Sequence, residues 1–137
     1  MTDMEIIFPY REERSKLIGT IYRPVALVEL KSGFGWVPEW MYVDSGADIS
    51  LLPRSLGDLL GFEVTQDIQE IRGVGDSVVP VIIKDIDVRL GGDVFNARMA
   101  WSLIEEVPPL LGRIDMFDKF EVTFKQHEKK VVFRENS

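Results

Sequence analysis

The chain has 137 residues, 45% of them hydrophobic and 28% charged, and its 16 lysines and arginines stand against 23 acidic residues for a net charge of -7. A domain of this length buries about two thirds of the surface its unfolded form exposes, so one well-packed core is expected. The acidic field disfavours nucleic acid and anionic membranes as partners; the absence of cysteine removes disulfides and thiolate chemistry and fits a cytoplasmic, reducing setting.

The first residues, MTDMEIIFPYREERSK, are acidic at the head and carry no long apolar segment, which argues against a signal peptide. No stretch approaches the about 20 apolar residues of a membrane span. Residues 1–20 read as an N-terminal extension or edge strand ahead of a single domain over 21–137. RPVALVEL is an early strand, and KSGFGWVPEW reads as a loop whose Trp36 and Trp40 cap the core. PRSLGDLLG predicts a short helix, with Pro53 at its start, Leu56, Leu59 and Leu60 on one face and Gly61 as its stop. IRGVGDSVVPV reads as a glycine-tipped hairpin.

From Lys84 onward the period is two. Ile86, Val88 and Leu90 alternate with Asp85, Asp87 and Arg89; after the turn signal Gly91-Gly92-Asp93, Phe95, Ala97, Met99 and Trp101 alternate with Asn96 and Arg98. A second short helix is expected over RIDMFDKF, then a strand with Phe120, Val122 and Phe124 on one side, a polar turn at QHEKK and a last strand at VVF. This alternation predicts an antiparallel all-β domain with one or two short helices.

The chemistry concentrates in MYVDSGADISLLP, where an apolar run ends on Asp44 and is followed by Ser45 and Gly46. Asp, Ser and Gly are ordinary turn formers. They also meet a specific need: two carboxyl groups about 3 Å apart cannot both ionise, so the pair shares a proton and acts as base and acid together. Gly46 permits a tight turn and Ser45 a hydrogen bond across to a second copy. His127, the only histidine, falls in the polar QHEKK turn and reads as a surface residue, and Asp44 with Asp48 lack the further oxygen ligands of a calcium loop, so neither a metal nor a cofactor is expected.

VDSGADISLLP resembles the active-site strand and loop of the retropepsins, the retroviral-type single-domain aspartic proteases, and PPLLGRIDMFDKF resembles their later element of two apolar residues, a glycine and a short helix. The resemblance covers roughly residues 20 to 133. It implies the acid-protease fold, a closed, barrel-like lobe, with Asp44 catalytic and Ser45, Gly46, Leu110, Leu111 and Gly112 supporting its loop. In the family the later element crosses behind the loop, so Leu110 and Leu111 would pack under Asp44 while Gly112 makes room. It further implies an Asp48–Arg113 ion pair, bidentate if the planar guanidinium meets the carboxylate squarely. Ala47 and Asp48, with Gly73, Val74 and Gly75 at the tip of a closing flap, would contact an extended polypeptide substrate. Because DSG occurs once, the implied unit is a homodimer with two Asp44 carboxylates facing across a two-fold axis. The rival reading keeps the fold and drops the chemistry, as a dimeric peptide-binding or scaffold module, because the flap lacks aromatic residues.

Overall fold

The computed structural model describes residues 4–136, with only the backbone at Val74. Five strands come first: β1 (Glu5–Pro9), β2 (Arg11–Ser15), β3 (Gly19–Arg23), β4 (Val25–Ser32) and β5 (Gly35–Val43). Next are β6 (Ser50–Leu52), the helix α1 (Arg54–Leu60), β7 (Gln69–Arg72), β8 (Val78–Leu90) and β9 (Asp93–Ser102). The chain finishes with β10 (Leu110–Leu111), β11 (Phe120–Lys125) and β12 (Lys130–Glu135).

The alternating runs become the long hairpin β8–β9, paired antiparallel from Leu90↔Asp93 out to Val81↔Ser102. Its apolar side, Ile86, Val88, Leu90, Ala97, Met99 and Trp101, is buried as the two-residue period requires. Strand pairing runs β4-β5-β10-β6-β9-β8, and β8 returns to β4 at Glu29↔Arg89 and Leu30↔Val88, so six strands close on themselves and β7 is left outside as an appended edge. Closure removes the open edges a flat sheet of this size would present. The closing seam is clamped from outside: Arg89 bonds both carboxylate oxygens of Glu29, at 2.8 and 2.7 Å, and its guanidinium lies 4.6 Å from the centre of the Trp36 ring.

KSGFGWVPEW is therefore not a loop. Its residues turn at Gly33-Phe34 and run on as β5, in register with β4 from Ser32↔Gly35 to Val25↔Tyr42. Glycine and proline obscure the strand in sequence, but Pro38 falls where β10 gives β5 no second neighbour, since β10 meets β5 only at Tyr42 and Val43. Trp36 covers the seam, and Trp40, 44% exposed, meets Phe8 edge to face at 6.2 Å.

A second sheet, β1-β12-β11, lies on the barrel with β12 in its centre. Aromatic rings meet edge to face within this sheet, Phe8 to Phe133 at 5.8 Å and Phe133 to Phe120 at 5.8 Å, and the row crosses to the barrel from Phe120 to Phe95 of β9 at 5.7 Å. Both edges of β12 are occupied within the chain, which leaves β1 and β11 as the open edges of this sheet. β2 and β3 form a separate two-stranded arm. Among the described residues, no helix is long and apolar enough to cross a membrane.

The expected first helix forms as α1, with Pro53 as its N-cap and Gly61 ending it in the left-handed region at φ 89°. The second is not a regular helix. Arg113–Phe117 is interrupted at Ile114 (ψ 127°) and at Asp115 (φ 66°), because the chain there is committed to contacts with the site loop and with β9. Where α1 meets β9, Gly57 is required by packing: a Cβ there would stand 2.0 Å from the indole Nε1 of Trp101, a fully buried ring that donates to the Arg54 carbonyl at 3.1 Å. Gly57→Ala is expected to cost about 1–3 kcal/mol through overpacking, seen as a lower urea midpoint at unchanged slope with a shift in tryptophan emission.

Candidate active site

β5 delivers Asp44 and β10 holds it. Leu110 and Leu111 lie parallel to Tyr42 and Val43, while Leu110 also faces Leu51 of β6, so β10 is inserted between the strand that precedes the DSG loop and the strand that follows it. The backbone N–H of Asp44 donates to the Leu111 carbonyl at 3.0 Å, and the N–H of Tyr42 to the Pro109 carbonyl at 2.9 Å. Leu111 is fully buried under the loop and Leu110 half-buried beside Asp44. An insertion of this kind fixes both ends of the loop with backbone bonds.

Within the loop the Gly46 N–H donates to Asp44 Oδ1 at 2.9 Å and the Ala47 N–H to the Asp44 carbonyl at 3.2 Å. A Cβ on Gly46 would sit 3.2 Å from the same Oδ1, so the glycine lets its amide reach the carboxylate. Gly112 has an ordinary extended backbone, and its need is steric: a Cβ would lie 2.5 Å from the Ile49 carbonyl carbon and 2.9 Å from the Ser50 nitrogen. Its N–H donates to the hydroxyl of Ser50, a buried side chain, at 2.9 Å. Beyond it the chain runs along the loop, Arg113 N–H to the Ala47 carbonyl at 2.9 Å and Ile114 N–H to the Asp48 carbonyl at 2.8 Å.

Arg113 and Asp48 form an ion pair, but not a bidentate one. One guanidinium nitrogen donates to Asp48 Oδ1 and the other to the Ser45 carbonyl at 3.3 Å, because the backbone bonds just described bring Arg113 alongside the whole turn rather than face to face with the carboxylate. The pair is exposed, so its value to a single chain is small. Ser45 itself is exposed.

Asp44 opens onto a cavity of about 490 Å³. Pro24, Val43, Pro108 and Leu110 give it an apolar wall, and Glu13, Arg23 and Tyr42 a polar end. Glu13 accepts from the Tyr42 hydroxyl at 2.7 Å and from Arg11 Nε at 3.0 Å, and its other oxygen is ion-paired with Arg23, whose Nε lies 3.0 Å away. The tyrosine hydrogen bond, with help from the two guanidiniums and against partial desolvation, holds the Glu13 carboxyl below the usual carboxylate range. Ala47, Asp48, Gly73 and Gly75 do not line this cavity. Gly73 to Ser77 form the tip of the β7–β8 hairpin, closed by Gly73 N–H to the Ser77 carbonyl at 2.8 Å with Gly75 and Asp76 in the left-handed region. The backbone of Val74 lies in that tip; its side chain is outside the described part of the chain. His127 is exposed in a turn, and among the described residues no three acidic or histidine side chains gather as a metal cluster.

Sequence reasoning missed four contributors. Tyr42 carried a signal, since two positions before Asp44 on a strand places it on the same face. Ser50 carried a weaker one, a lone hydroxyl in the apolar run ISLLP. Glu13 and Arg23 carried none, because only folding brings the arm to Tyr42.

Two substitutions test this geometry. Gly112→Ala is expected to destabilise the fold by about 1–3 kcal/mol or to displace the loop, since the obstruction is backbone and cannot rotate away; urea unfolding measures it. Behind the loop, Asp115 accepts from the Arg98 backbone N–H at 2.8 Å and from its side chain at 2.9 and 3.1 Å. The Arg98 side-chain bonds hold the Asp115 carboxyl below its ordinary value, so its contribution is complete above the unfolded pKa of about 4 and is lost as pH falls through the lower folded one. Asp115→Asn, which tolerates the left-handed backbone, should lower the melting temperature at pH 7, and its melting temperature should fall less than that of the parent between pH 5 and pH 2.

No family model and no curated protein matches the chain. Solved structures do. The chain is similar to the EIAV protease complexed with the inhibitor HBY-793, at 25% identity and a TM-score of 0.57 over 70% of this chain and 86% of that one. It is also similar to a retropepsin-like aspartic protease from Rickettsia conorii, at 18% identity and a TM-score of 0.64 over 98% of this chain and 93% of that one. The closed six-stranded barrel, the strand inserted behind the DSG loop and these structural neighbours together give the chain the fold of the retropepsin-like aspartic proteases.

Proposed function

We propose that the protein is an aspartic endopeptidase that works as a homodimer, with Asp44 of each copy forming the catalytic pair. The observation that carries this reading is the setting of Asp44: pinned by backbone bonds to β10, its carboxylate oriented by the Gly46 amide, and open to a cavity. Among the described residues of one chain, no second carboxylate is free to work with it. The other carboxylate on the cavity, Glu13, is engaged by two donors and an ion pair with Arg23, and Asp48 is engaged by Arg113. A second copy related by a two-fold axis supplies what is missing.

In that dimer the two carboxyl groups share one proton. The ionised one removes a proton from a water held between them as the water oxygen attacks the scissile carbonyl carbon; the protonated one donates to the carbonyl oxygen. Collapse of the tetrahedral intermediate breaks the C–N bond, and a proton passes to the leaving amine. Ser45 and Gly46 hold the loop, Leu110, Leu111 and Gly112 brace it from behind, and the β7–β8 hairpin, with Gly73, Val74 and Gly75 at its tip, closes over an extended polypeptide by backbone hydrogen bonds. Ala47 and Asp48 contact the same substrate from the loop in this reading.

Purified protein should cleave an unfolded polypeptide at mildly acidic pH, and Asp44→Asn should lower kcat by at least about a thousandfold with the fold unchanged by circular dichroism. Specific activity should rise with protein concentration through the dimer dissociation constant. Equal cleavage by the parent and the Asp44→Asn protein would overturn the reading.

A further inference from the structure

We propose that two copies of the chain join along the open edge of β11, this strand pairing antiparallel with itself about Thr123. The proposal rests on the homodimer of the protease reading and names the surface that makes it. Among the described residues the sheet β1-β12-β11 has two unpaired edges, and backbone polarity tells them apart. Alternate residues of an antiparallel strand turn their N–H and C=O first to one neighbour and then to the other. The Tyr10 N–H donates to the Lys129 carbonyl in continuation of the β1–β12 register, so Ile6 and Phe8 bond β12 while Glu5, Ile7 and Pro9 face the open side. Pro9 has no N–H to offer there, and that edge is blunted. The Asn136 N–H donates to the Lys119 carbonyl in continuation of the β11–β12 register, so Glu121, Thr123 and Lys125 bond β12. Phe120, Val122 and Phe124 then present donors and acceptors alike to the open edge.

The side chains of β11 suit a second copy running the other way. A two-fold axis through Thr123 sets that residue against its own counterpart, Glu121 against the Lys125 of the second copy, and Val122 against the Phe124 of the second copy. Threonine pairs, opposite charges and aromatic with β-branched residues are the cross-strand neighbours that stabilise sheets. Glu121 and Thr123 are exposed in the single chain. Phe124 lies on the core side of the sheet, opposite the buried Val131, and is still 37% exposed. Neighbouring registers fit less well. An axis at Val122 sets Lys125 against Lys119, one at Glu121 sets like carboxylates face to face, and one at Phe124 runs the ladder into the turn at Gln126–Glu128. An axis between two residues would oppose a group bonded to β12 to one that faces the edge, so no ladder forms.

Such an axis stands perpendicular to the sheet. The two three-stranded sheets become one, and both barrels lie on the same side of it, the arrangement two Asp44 side chains need to face each other over a single axis. No strand is exchanged, because β12 keeps both of its own neighbours. The edge of a six-residue strand is small beside the about 1,200–2,000 Å² of a stable interface, so the dimer should dissociate on dilution.

The chain has no cysteine, so one introduced thiol reports its own neighbour. Thr123→Cys should give a disulfide-linked dimer under mild oxidation, since a non-hydrogen-bonded antiparallel pair brings Cα atoms to about 4.5 Å, within disulfide reach. Ile7→Cys, at the middle of the β1 edge, should stay monomeric on the same gel. In sedimentation, Glu121→Lys should raise the dimer dissociation constant about tenfold, as two attractive pairs become repulsive. Adding Lys125→Glu to it should return the constant toward the parent value, with circular dichroism checking that each variant folds. The cross-linked protein should keep its specific activity on dilution where the parent loses it. Cross-linking at Ile7 instead of Thr123, charge variants that leave the dissociation constant unchanged, or a cross-linked dimer that is inactive while the parent cleaves overturns the inference. If neither the parent nor the cross-linked dimer cleaves a polypeptide, yet Thr123→Cys cross-links and the double charge swap restores association, the protease reading falls and the interface stands.

Discussion

The site depends on one steric constraint: two chain segments cross at Gly112 with no room for a side chain. Its Cα rests against the peptide between Ile49 and Ser50, and the buried Ser50 hydroxyl takes up the Gly112 amide. That contact allows the two residues of β10 to enter between β5 and β6, which have no other means of completing the barrel there. Backbone polarity then does the rest, since each N–H and C=O in the crossing must find a partner once water is excluded. The bonds from Asp44 to Leu111, from Arg113 to Ala47 and from Ile114 to Asp48 are those partners. A loop held at both ends and in the middle keeps a carboxylate in place more firmly than its exposed ion pair could.

Stability and chemistry are separated in this design. The barrel is closed by the Glu29–Arg89 pair under Trp36, and the second sheet is joined to it by edge-to-face rings, Phe120 on Phe95 and Phe8 on Trp40. Neither feature touches Asp44. The cavity, by contrast, is built where the barrel meets the arm, a two-stranded element outside both sheets that is joined to the site through Tyr42. An element with few backbone ties to the barrel can change its charges without disturbing the core.

Much of the fold was legible because burial imposes a period. Ile86, Val88 and Leu90, then Ala97, Met99 and Trp101, announce a hairpin with one buried face, and it is there. Pro53 and Gly61 bracket α1 for reasons of backbone geometry that act locally. The reading failed where local signals opposed a long-range pairing: glycine and proline disguised β5, whose strand character comes from its register with β4. It failed again at Asp115, where a side chain bonded to Arg98 of β9 and a left-handed backbone replace the expected helix.

For the site, the sequence by itself determined the chemistry carried on the chain: one Asp-Ser-Gly, a later Leu-Leu-Gly-Arg, and no cysteine or second copy of the triplet. These are properties of residue identity and spacing, and they need no coordinates. Only the tertiary structure decided which surfaces meet. It inserted β10 between β5 and β6, turned Arg113 onto the Ser45 carbonyl as well as Asp48, occupied both edges of β12, and carried Glu13 and Arg23 to the cavity beside Asp44. Those outcomes follow from contacts between segments far apart in the chain, where the cost of closing the intervening loops is repaid by burial and by paired backbone groups, and no local pattern records that balance.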